Sequence, residues 1–506
     1  MSVVSFAAFA TVRDSEPFCH RIMFKDLNHF ISALDDEREL ARITDPVSPA
    51  LEICAVTDRA SKSPGGGPGL LFERPTGFDV PVAINLFGSM KRMCMALGVR
   101  TLDDLADEIE ELSTPKIPSG MLDALKMLPT VNRLRDLMPK TVSDAPCQEV
   151  VRRDGSLDEL PILKCWPEDG GRYITLPMVF TKDPETGARN IGTYRMQVFD
   201  GRTTGMHWQQ HKGGAQHYRV AERLGQRLPV AVALGPDPAL AYSATAPMPE
   251  GLDELMLAGF LRRERVELVK CITVDLEVPA NAQIVLEGYV EPGERRVEGP
   301  FGDHTGFYSH PDDYPVFHLT CITSRKRPVY LTTVVGIPPM EDYYLGKASE
   351  RIFLPLIRKT LPEIVDMHFP AAGIFHNIVI ISIDKRYPGH ARKIMNAVWG
   401  LGQLMFSKTV IVVDQDVDVQ NENEVAWIVG THYDPERDVQ FTRGPVDDLD
   451  DASDLHAYGS KMGIDATRKW PTEGFKRPWP KKIVTADDAA RVADAVWQRI
   501  SKGWKP

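Results

Sequence analysis

IGTYRMQVFDGRTTGMHW, residues 191–208, is the stretch of sequence that decides the fold. Two runs rich in β-branched and aromatic residues flank Asp200-Gly201, a pair that favours the tight turn of a β-hairpin. Further runs of this kind lie at residues 174–181, 230–234, 283–291, 317–322 and 329–335. Many short strands separated by turns predict a β-barrel in the middle of the chain.

On both sides of this region the pattern alternates between helices and strands, which predicts an α/β (α+β) protein. At 506 residues the chain exceeds what one core usually organises, so several domains are expected. A strand at 377–384, a helix at 391–406 and a strand at 409–414 predict a parallel βαβ unit. We expect an N-terminal α/β domain at residues 23–118, which ends in a proline-rich linker at 115–118. The barrel domain is expected at 119–335 and a C-terminal α/β domain at 336–480.

Both ends of the chain differ from these domains. Residues 1–22 are expected to form an extension, with Met23 as an alternative start because a helical pattern opens there. Residues 481–506 predict a terminal helix on which Val492, Val496 and Ile500 form an apolar stripe. Such a stripe is typical of core or subunit contacts, so a homo-oligomer, either a dimer or a hexamer, is expected.

Composition excludes several function classes. The net charge of −11 argues against nucleic-acid binding. The sequence also contains no run of 18 apolar residues, the length that a membrane-spanning helix needs. The seven cysteines contain no CxxC pair, which is typical of reduced thiols in a cytoplasmic protein. The chain has no Walker loop, GxGxxG, GxSxG or HExxH motif.

The segment VEGPFGDHTG, residues 297–306, carries the strongest chemical signal. Glu298 and Asp303 flank Gly-Pro-Phe-Gly, which cannot continue a helix or a central strand. Two carboxylates near one cation can titrate apart, so that one stays ionised while the other donates a proton. An ordinary turn with solvated acids is the alternative from this loop alone.

Three other stretches hold suitable polar groups: residues 190–195, 207–214 and 267–271. Their Asn, His and Glu side chains could hold Mn²⁺ or Mg²⁺ near a phosphate, although each also fits an ordinary surface ion pair. Strict strand alternation would place Asn190 and Arg195 on opposite faces, so a shared role requires the backbone to bend near Gly192.

The chain resembles the UbiD family of prenylated-FMN-dependent decarboxylases from about residue 25 to the C-terminal helix. The shared phrases are NLFG (85–88), APCQ (145–148), CWPED (165–169), ELVKC (267–271), DLEVPA (275–280), GDHTG (302–306), YPGHA (387–391) and GSKMG (459–463). Two departures stand out: Val297 replaces the proline usual before the catalytic Glu, and Gln209-Gln210 alter the pocket sequence.

The resemblance implies a role for each matching residue. The catalytic set is Arg195, Glu298 and Asp303, and the metal ligands are Asn190, His211 and Glu267. The residues expected to contact the cofactor are Thr193, Tyr194, Arg195, His207, Trp208, Gln209, Lys212, Gly213, Pro247 and Lys461. The cofactors implied are prenylated FMN and Mn²⁺ or another divalent ion, with K⁺ as a further candidate.

The resemblance also implies a fold and a reaction. We expect a flavin-binding split β-barrel between the two α/β domains, and non-oxidative decarboxylation of an aromatic acid. The leading substrate is 3-polyprenyl-4-hydroxybenzoate in ubiquinone biosynthesis, with a hydroxybenzoate, furan or pyrrole carboxylate as the alternative. A flavin prenyltransferase would supply the cofactor, and a polyprenylated substrate would bring the protein to the inner membrane surface. An inactive structural subunit of a carboxylase complex and a flavin reductase are alternatives of other classes.

Overall fold

The computed structural model describes residues 23–113, 135–248, 252–374 and 376–501. The expected extension at 1–22 and linker at 115–118 lie outside these residues. In the described ranges, no helix is both long and apolar enough to cross a membrane. The six cysteines in these ranges are all free thiols, as predicted.

The N-terminal part packs helices against a small sheet. Its elements are α1 (Leu27–Asp36), β1 (Leu40–Ile43), α2 (Glu52–Ser61), β2 (Gly69–Phe72), β3 (Val82–Ile84), α3 (Met90–Ala96) and α4 (Leu102–Leu112). Asp26 begins α1 by accepting a hydrogen bond from the His29 N–H at 2.9 Å. The apolar side of α1, predicted from its spacing, is buried.

The middle part holds most of the strands. They are β4 (Lys140–Val142), β5 (Val150–Arg152), β6 (Arg172–Ile174), β7 (Met178–Lys182), β8 (Arg189–Gly192), β9 (Met196–Val198), β10 (Thr203–Gly205), β11 (Leu228–Leu234), β12 (Glu267–Lys270), β13 (Glu277–Pro279), β14 (Ile284–Glu298), β15 (Asp312–Ser324) and β16 (Tyr330–Leu331). The helices α5 (Gly213–Leu224), α6 (Pro238–Ser243) and α7 (Glu254–Arg262) accompany them.

Nine of these strands form one antiparallel sheet in the order β6-β9-β10-β15-β14-β11-β7-β8, with β5 on β15. Strand β11 alternates between two cores, since Val230, Val232 and Leu234 face one cluster and Ala231 and Ala233 face another. The sheet is therefore covered on both faces, and this half-barrel confirms the predicted β-rich centre. Strands β13, β12 and β4 form a separate sheet, and β16 joins the N-terminal sheet next to β3.

Two predicted strands are each split in two. The run 174–181 forms β6 and β7, which Pro177 separates because proline has no N–H to give a sheet. The run 191–199 forms β8, which pairs with β7, and β9, which pairs with β6 and β10. The predicted hairpin at Asp200-Gly201 is present between β9 and β10.

The C-terminal part consists of α8 (Glu341–Thr360), β17 (Ile364–His368), β18 (Ile378–Ile383), α9 (His390–Trp399), β19 (Thr409–Asp414), α10 (Glu422–His432), α11 (Pro435–Asp438), β20 (Val439–Pro445), β21 (Tyr458–Asp465) and α12 (Asp487–Ser501). The predicted βαβ unit is confirmed, because β18 and β19 are parallel and α9 connects them. The helix predicted at 391–406 ends earlier, at Trp399, and a 3₁₀ turn follows at Gly402–Phe406. The predicted stripe of α12 is exposed on the single chain.

Candidate active site

Arg195 lies where the chain leaves β8 and before it enters β9. The Thr193 N–H donates to the Ala244 carbonyl at 3.1 Å, and the Arg195 carbonyl accepts from the His207 N–H at 3.2 Å. A Cβ at Gly192 would lie 2.5 Å from the Tyr194 ring, so glycine permits the fold-back there. The backbone therefore bends near Gly192, which removes the conflict posed by strict strand alternation.

The guanidinium of Arg195 joins two carboxylates. Its Nε and Nη2 atoms donate to the two oxygens of Glu298 at 2.9 and 3.0 Å, a bidentate pair. Its Nη1 atom donates to Asp303 Oδ2, and Nη2 also donates to Ser309 Oγ at 3.2 Å. The Phe301 ring covers the guanidinium at 4.9 Å. Glu298 ends β14 and Asp303 lies in the following loop, so the two acids come from the hairpin of β14 and β15.

The charges of this network hold both acids ionised. Burial disfavours a charged Glu298, but Arg195 and His207 outweigh it and lower the pKa of Glu298 to about 2. Burial also opposes charge on Asp303, yet Arg195 and His304 lower its pKa to about 2. His304 Nδ1 lies 2.9 Å from Asp303 Oδ1. Burial opposes protonation of His304, but Asp303 overcomes it and raises the pKa of His304 to about 9. With both acids ionised, His304 carries the proton that this network can transfer.

His207 and Trp208 were predicted to contact a cofactor. His207 Nδ1 lies 3.1 Å from Glu298 Oε2, and its ring packs on Tyr314 with centroids 4.3 Å apart. His207 Nε2 and Trp208 Nε1 are buried and have no hydrogen-bond partner among the described residues. Buried polar atoms usually have hydrogen-bond partners. These two nitrogens therefore suit a site for a bound polar ring system better than an apolar core.

The turn before α5 has the character of a phosphate site. A Cβ at Gly213 would collide with Asn190 Oδ1, and one at Gly214 would lie 2.5 Å from Trp208 Nε1. Gly213 thus lets the start of α5 approach β8, and Gly214 lets it approach Trp208 after β10. The first N–H groups of a helix favour an anion. Burial lowers the pKa of Lys212, whose Nζ donates to Gln403 Oε1 at 2.8 Å.

The three expected metal ligands are not equally placed. Asn190 touches the turn that holds His211, as the close approach to Gly213 shows. Glu267, by contrast, is half-exposed and its carboxylate lies 2.9 Å from Lys140 Nζ. Glu254, not Glu267, lies against β8: its Oε2 accepts a hydrogen bond from the Ile191 N–H at 3.2 Å, and burial raises the pKa of Glu254 to about 7.

The candidate donors around β8 are the Asn190 amide, the Glu254 carboxylate that bonds to the Ile191 N–H, and the His211 imidazole in the turn beside Asn190. The described residues contain no cluster of three or more His, Cys, Asp or Glu side chains arranged to hold a metal. A hard divalent ion accepts an Asn oxygen as a ligand, so Asn190, His211 and Glu254 suit it chemically. Glu254 bonds to β8, whereas the predicted Glu267 pairs with Lys140. The sequence does not separate the two acids, because one begins α7 and the other follows it.

The remaining predicted cofactor residues, Gln209, Pro247 and Lys461, lie in three different segments of the chain. The Gln209 carbonyl accepts from the Lys212 N–H at 3.0 Å, and Pro247 follows the Ala244 carbonyl that anchors Thr193. Lys461 on β21 is buried, its Nζ donates to the Ser407 carbonyl at 3.0 Å and to the Met405 carbonyl, and burial lowers its pKa to about 8. The turn Gly402–Phe406 lies between Lys212 and Lys461, so the C-terminal part borders the site.

Three residues of the site were not predicted: Glu254, His304 and Ser309. His304 had a signal, since it directly follows a predicted catalytic acid. The other two carry no local pattern that separates them from ordinary polar residues.

Comparison with known proteins identifies the family. Three family models match: the 3-octaprenyl-4-hydroxybenzoate carboxy-lyase N-terminal domain at residues 31–112, the Rift-related domain at 140–338 and the C-terminal domain at 343–466. The chain therefore belongs to the UbiD family of carboxy-lyases, as the sequence predicted. An uncharacterized protein of Archaeoglobus fulgidus is 53% identical over 94% of this chain and 98% of its own length.

Solved structures agree with this assignment. The vanillic acid decarboxylase of Sedimentibacter hydroxybenzoicus in its closed form has a TM-score of 0.84 at 29% identity, covering 95% of this chain and 99% of that one. Its open form has a TM-score of 0.76. An evolved dimeric form of the UbiD-class enzyme HmfF from Pelotomaculum thermopropionicum, in complex with prFMN, has a TM-score of 0.73 at 31% identity, covering 90% and 97%.

Proposed function

We propose that this protein removes CO₂ from an aromatic acid without net oxidation, using prenylated FMN. The observation that carries the proposal is the joining of Arg195, Glu298 and Asp303 into one buried unit. A merely structural subunit does not require two buried acids on one arginine, and hydride transfer in a flavin reductase has no use for them.

The chemistry explains why such a unit is needed. Loss of CO₂ from an aromatic ring leaves an electron pair in the ring plane, which the π system cannot delocalise. The prenylated flavin supplies the electron sink that amino-acid side chains lack. His207 Nε2, Trp208 Nε1, the start of α5 and Lys212 would hold it, and Asn190, His211 and Glu254 would hold a divalent ion beside its phosphate. Mn²⁺ is the proposed ion, and K⁺ a further candidate.

The chain's own residues manage charge and protons. Arg195 keeps Glu298 ionised and fixes its orientation through two hydrogen bonds. His304 Nδ1 can pass a proton to Asp303 Oδ1 across 2.9 Å, and Asp303 can deliver it to the ring carbon. Asp303 is thus ionised before the reaction, and it relays a proton from His304 rather than holding one of its own.

For the substrate we propose a para-hydroxylated benzoic acid, with 3-polyprenyl-4-hydroxybenzoate as the leading candidate and 2-polyprenylphenol as its product. The family description supports the prenylated acid, and the likeness to a vanillic acid decarboxylase supports an unprenylated hydroxybenzoate as the alternative. Furan and pyrrole carboxylates are the next alternatives. A cytoplasmic homo-oligomer that meets a prenylated substrate at the inner membrane surface fits the leading candidate.

The test is co-production with a flavin prenyltransferase followed by CO₂ release from a panel of these acids. Glu298→Gln protein, loaded in the same way, is the matched control. We expect release from at least one hydroxybenzoate and none with the variant. Loaded protein that releases no CO₂ from any acid would contradict the proposal, as would active protein that contains only unmodified FMN.

A further inference from the structure

His304 lies where three segments of the chain meet, one from the middle part and two from the C-terminal part. It belongs to the loop between β14 and β15, and its ring centroid lies 5.6 Å from that of His376, which precedes β18 in the C-terminal sheet. His376 Nε2 lies 3.2 Å from Asp447 Oδ2. Asp447 follows β20, and its Oδ1 accepts from the Leu449 N–H at 2.9 Å, which leaves Oδ2 facing His376.

The charges alternate along this line. Arg195 is positive, Asp303 negative, His304 positive and Asp447 negative. After Asp303, the groups that favour protonation of His304 are Asp447 and then Asp342 at the start of α8. Burial opposes charge on Asp447 as well, but His376 and His304 hold its pKa well below its usual range. In the described part of the chain, Asp303, Asp447 and Asp342 favour the charged form of His304, and the His376 ring lies beside it.

We propose that His376 and Asp447 are positioning residues that hold His304 against Asp303, so that the C-terminal sheet completes a catalytic network built in the middle of the chain. The effect of these two residues on turnover rests on the proposed decarboxylase function.

The first test needs no turnover. Histidine-selective ¹⁵N labelling of the full-length, flavin-loaded protein gives signals for 13 histidines, and His304→Gln identifies that of His304. Asp447→Asn should lower the midpoint of the His304 titration by about one pH unit, since it removes a facing negative charge. Asp454→Asn removes an exposed carboxylate from the same segment and should leave the midpoint unchanged. An unchanged midpoint in Asp447→Asn would overturn the proposal even if the protein proved inactive.

The second test separates positioning from general structure. Asp447→Asn should lower kcat about tenfold or more and change KM by less than about threefold, since general acid–base effects fall on turnover. The alkaline limb of kcat should move to lower pH, because His304 loses its proton more easily. Asp447→Glu should restore most of kcat, and His376→Gln should repeat the loss. Normal kcat in both Asp447→Asn and His376→Gln would refute the positioning role, whatever the His304 midpoint does.

Discussion

Replacing Asp303 by Asn keeps the size of the side chain and removes its charge. One Asp303 oxygen accepts from Arg195, and the other accepts the backbone N–H of His304 at 2.8 Å and faces His304 Nδ1 at 2.9 Å. An amide offers one acceptor oxygen and one NH₂ donor. Its NH₂ must therefore face either Arg195 or His304, both of which also donate.

The size of the effect follows from the pKa of Asp303. Its value is about 2 against an ordinary 3.8. This difference corresponds to about 2 kcal/mol of interaction that the neutral amide forfeits. The amide would also carry no proton to the ring carbon, and loss of a general acid–base group lowers turnover by about 10²–10⁴-fold. KM should change much less, because the substrate is not held by this proton.

The assay uses protein co-produced with a flavin prenyltransferase, with cofactor content measured by mass spectrometry. Turnover is followed by CO₂ release, and proton delivery by deuterium incorporation into the product in D₂O. Asp313→Asn, at an exposed position on β15, is the matched control and should behave as wild type. Near-normal turnover in fully loaded Asp303→Asn protein would refute the reasoning and make another group the proton source.

The same two acids predict acid sensitivity. The pKa values of Glu298 and Asp303 are lowered in the folded protein from 4.5 and 3.8 to about 2, so their stabilisation is present above pH 4.5. It is lost as pH falls from 4.5 towards 2, when both become protonated. The midpoint of urea unfolding should therefore fall more between pH 5 and pH 3 in wild type than in Glu298→Gln. Equal falls would show that Glu298 contributes no such linkage.

Three further predictions concern the cofactor turn, the metal and the subunit contact. Gly213→Ala drives a Cβ into Asn190 Oδ1 and should reduce flavin retention about tenfold or more, whereas Gly430→Ala, which meets no atom within 4 Å, should not. Glu254→Gln should lose the divalent ion in elemental analysis while Glu267→Gln keeps it, and the reverse result would restore Glu267 as the ligand. Deletion of α12 should lower the mass measured by light scattering, and a monomeric full-length protein would contradict an oligomer built through its exposed apolar stripe.

Sequence alone predicted the parts of the fold that depend on local pattern. The Asp200-Gly201 hairpin, the parallel unit of β18, α9 and β19 and the buried side of α1 follow from turn chemistry and from periods of 2 and 3.6 residues. It did not predict that the run 191–199 pairs with two different neighbours. Strand pairing is decided by distant partners, here β7 on one side and β6 with β10 on the other.

The candidate site divides in the same way. Residue types and family phrases singled out Arg195, Glu298 and Asp303, and those side chains meet although more than 100 residues separate the arginine from either acid. Glu254 begins α7 and Glu267 follows it, and only the burial of Glu254 against β8 distinguishes the two acids. Asp447 lies against His376, whose ring lies beside His304, an arrangement that no local pattern encodes. The sequence thus determined which chemical groups the protein carries, whereas the tertiary structure decided which of them share a buried, low-dielectric space, since only there do charges shift one another's pKa values strongly.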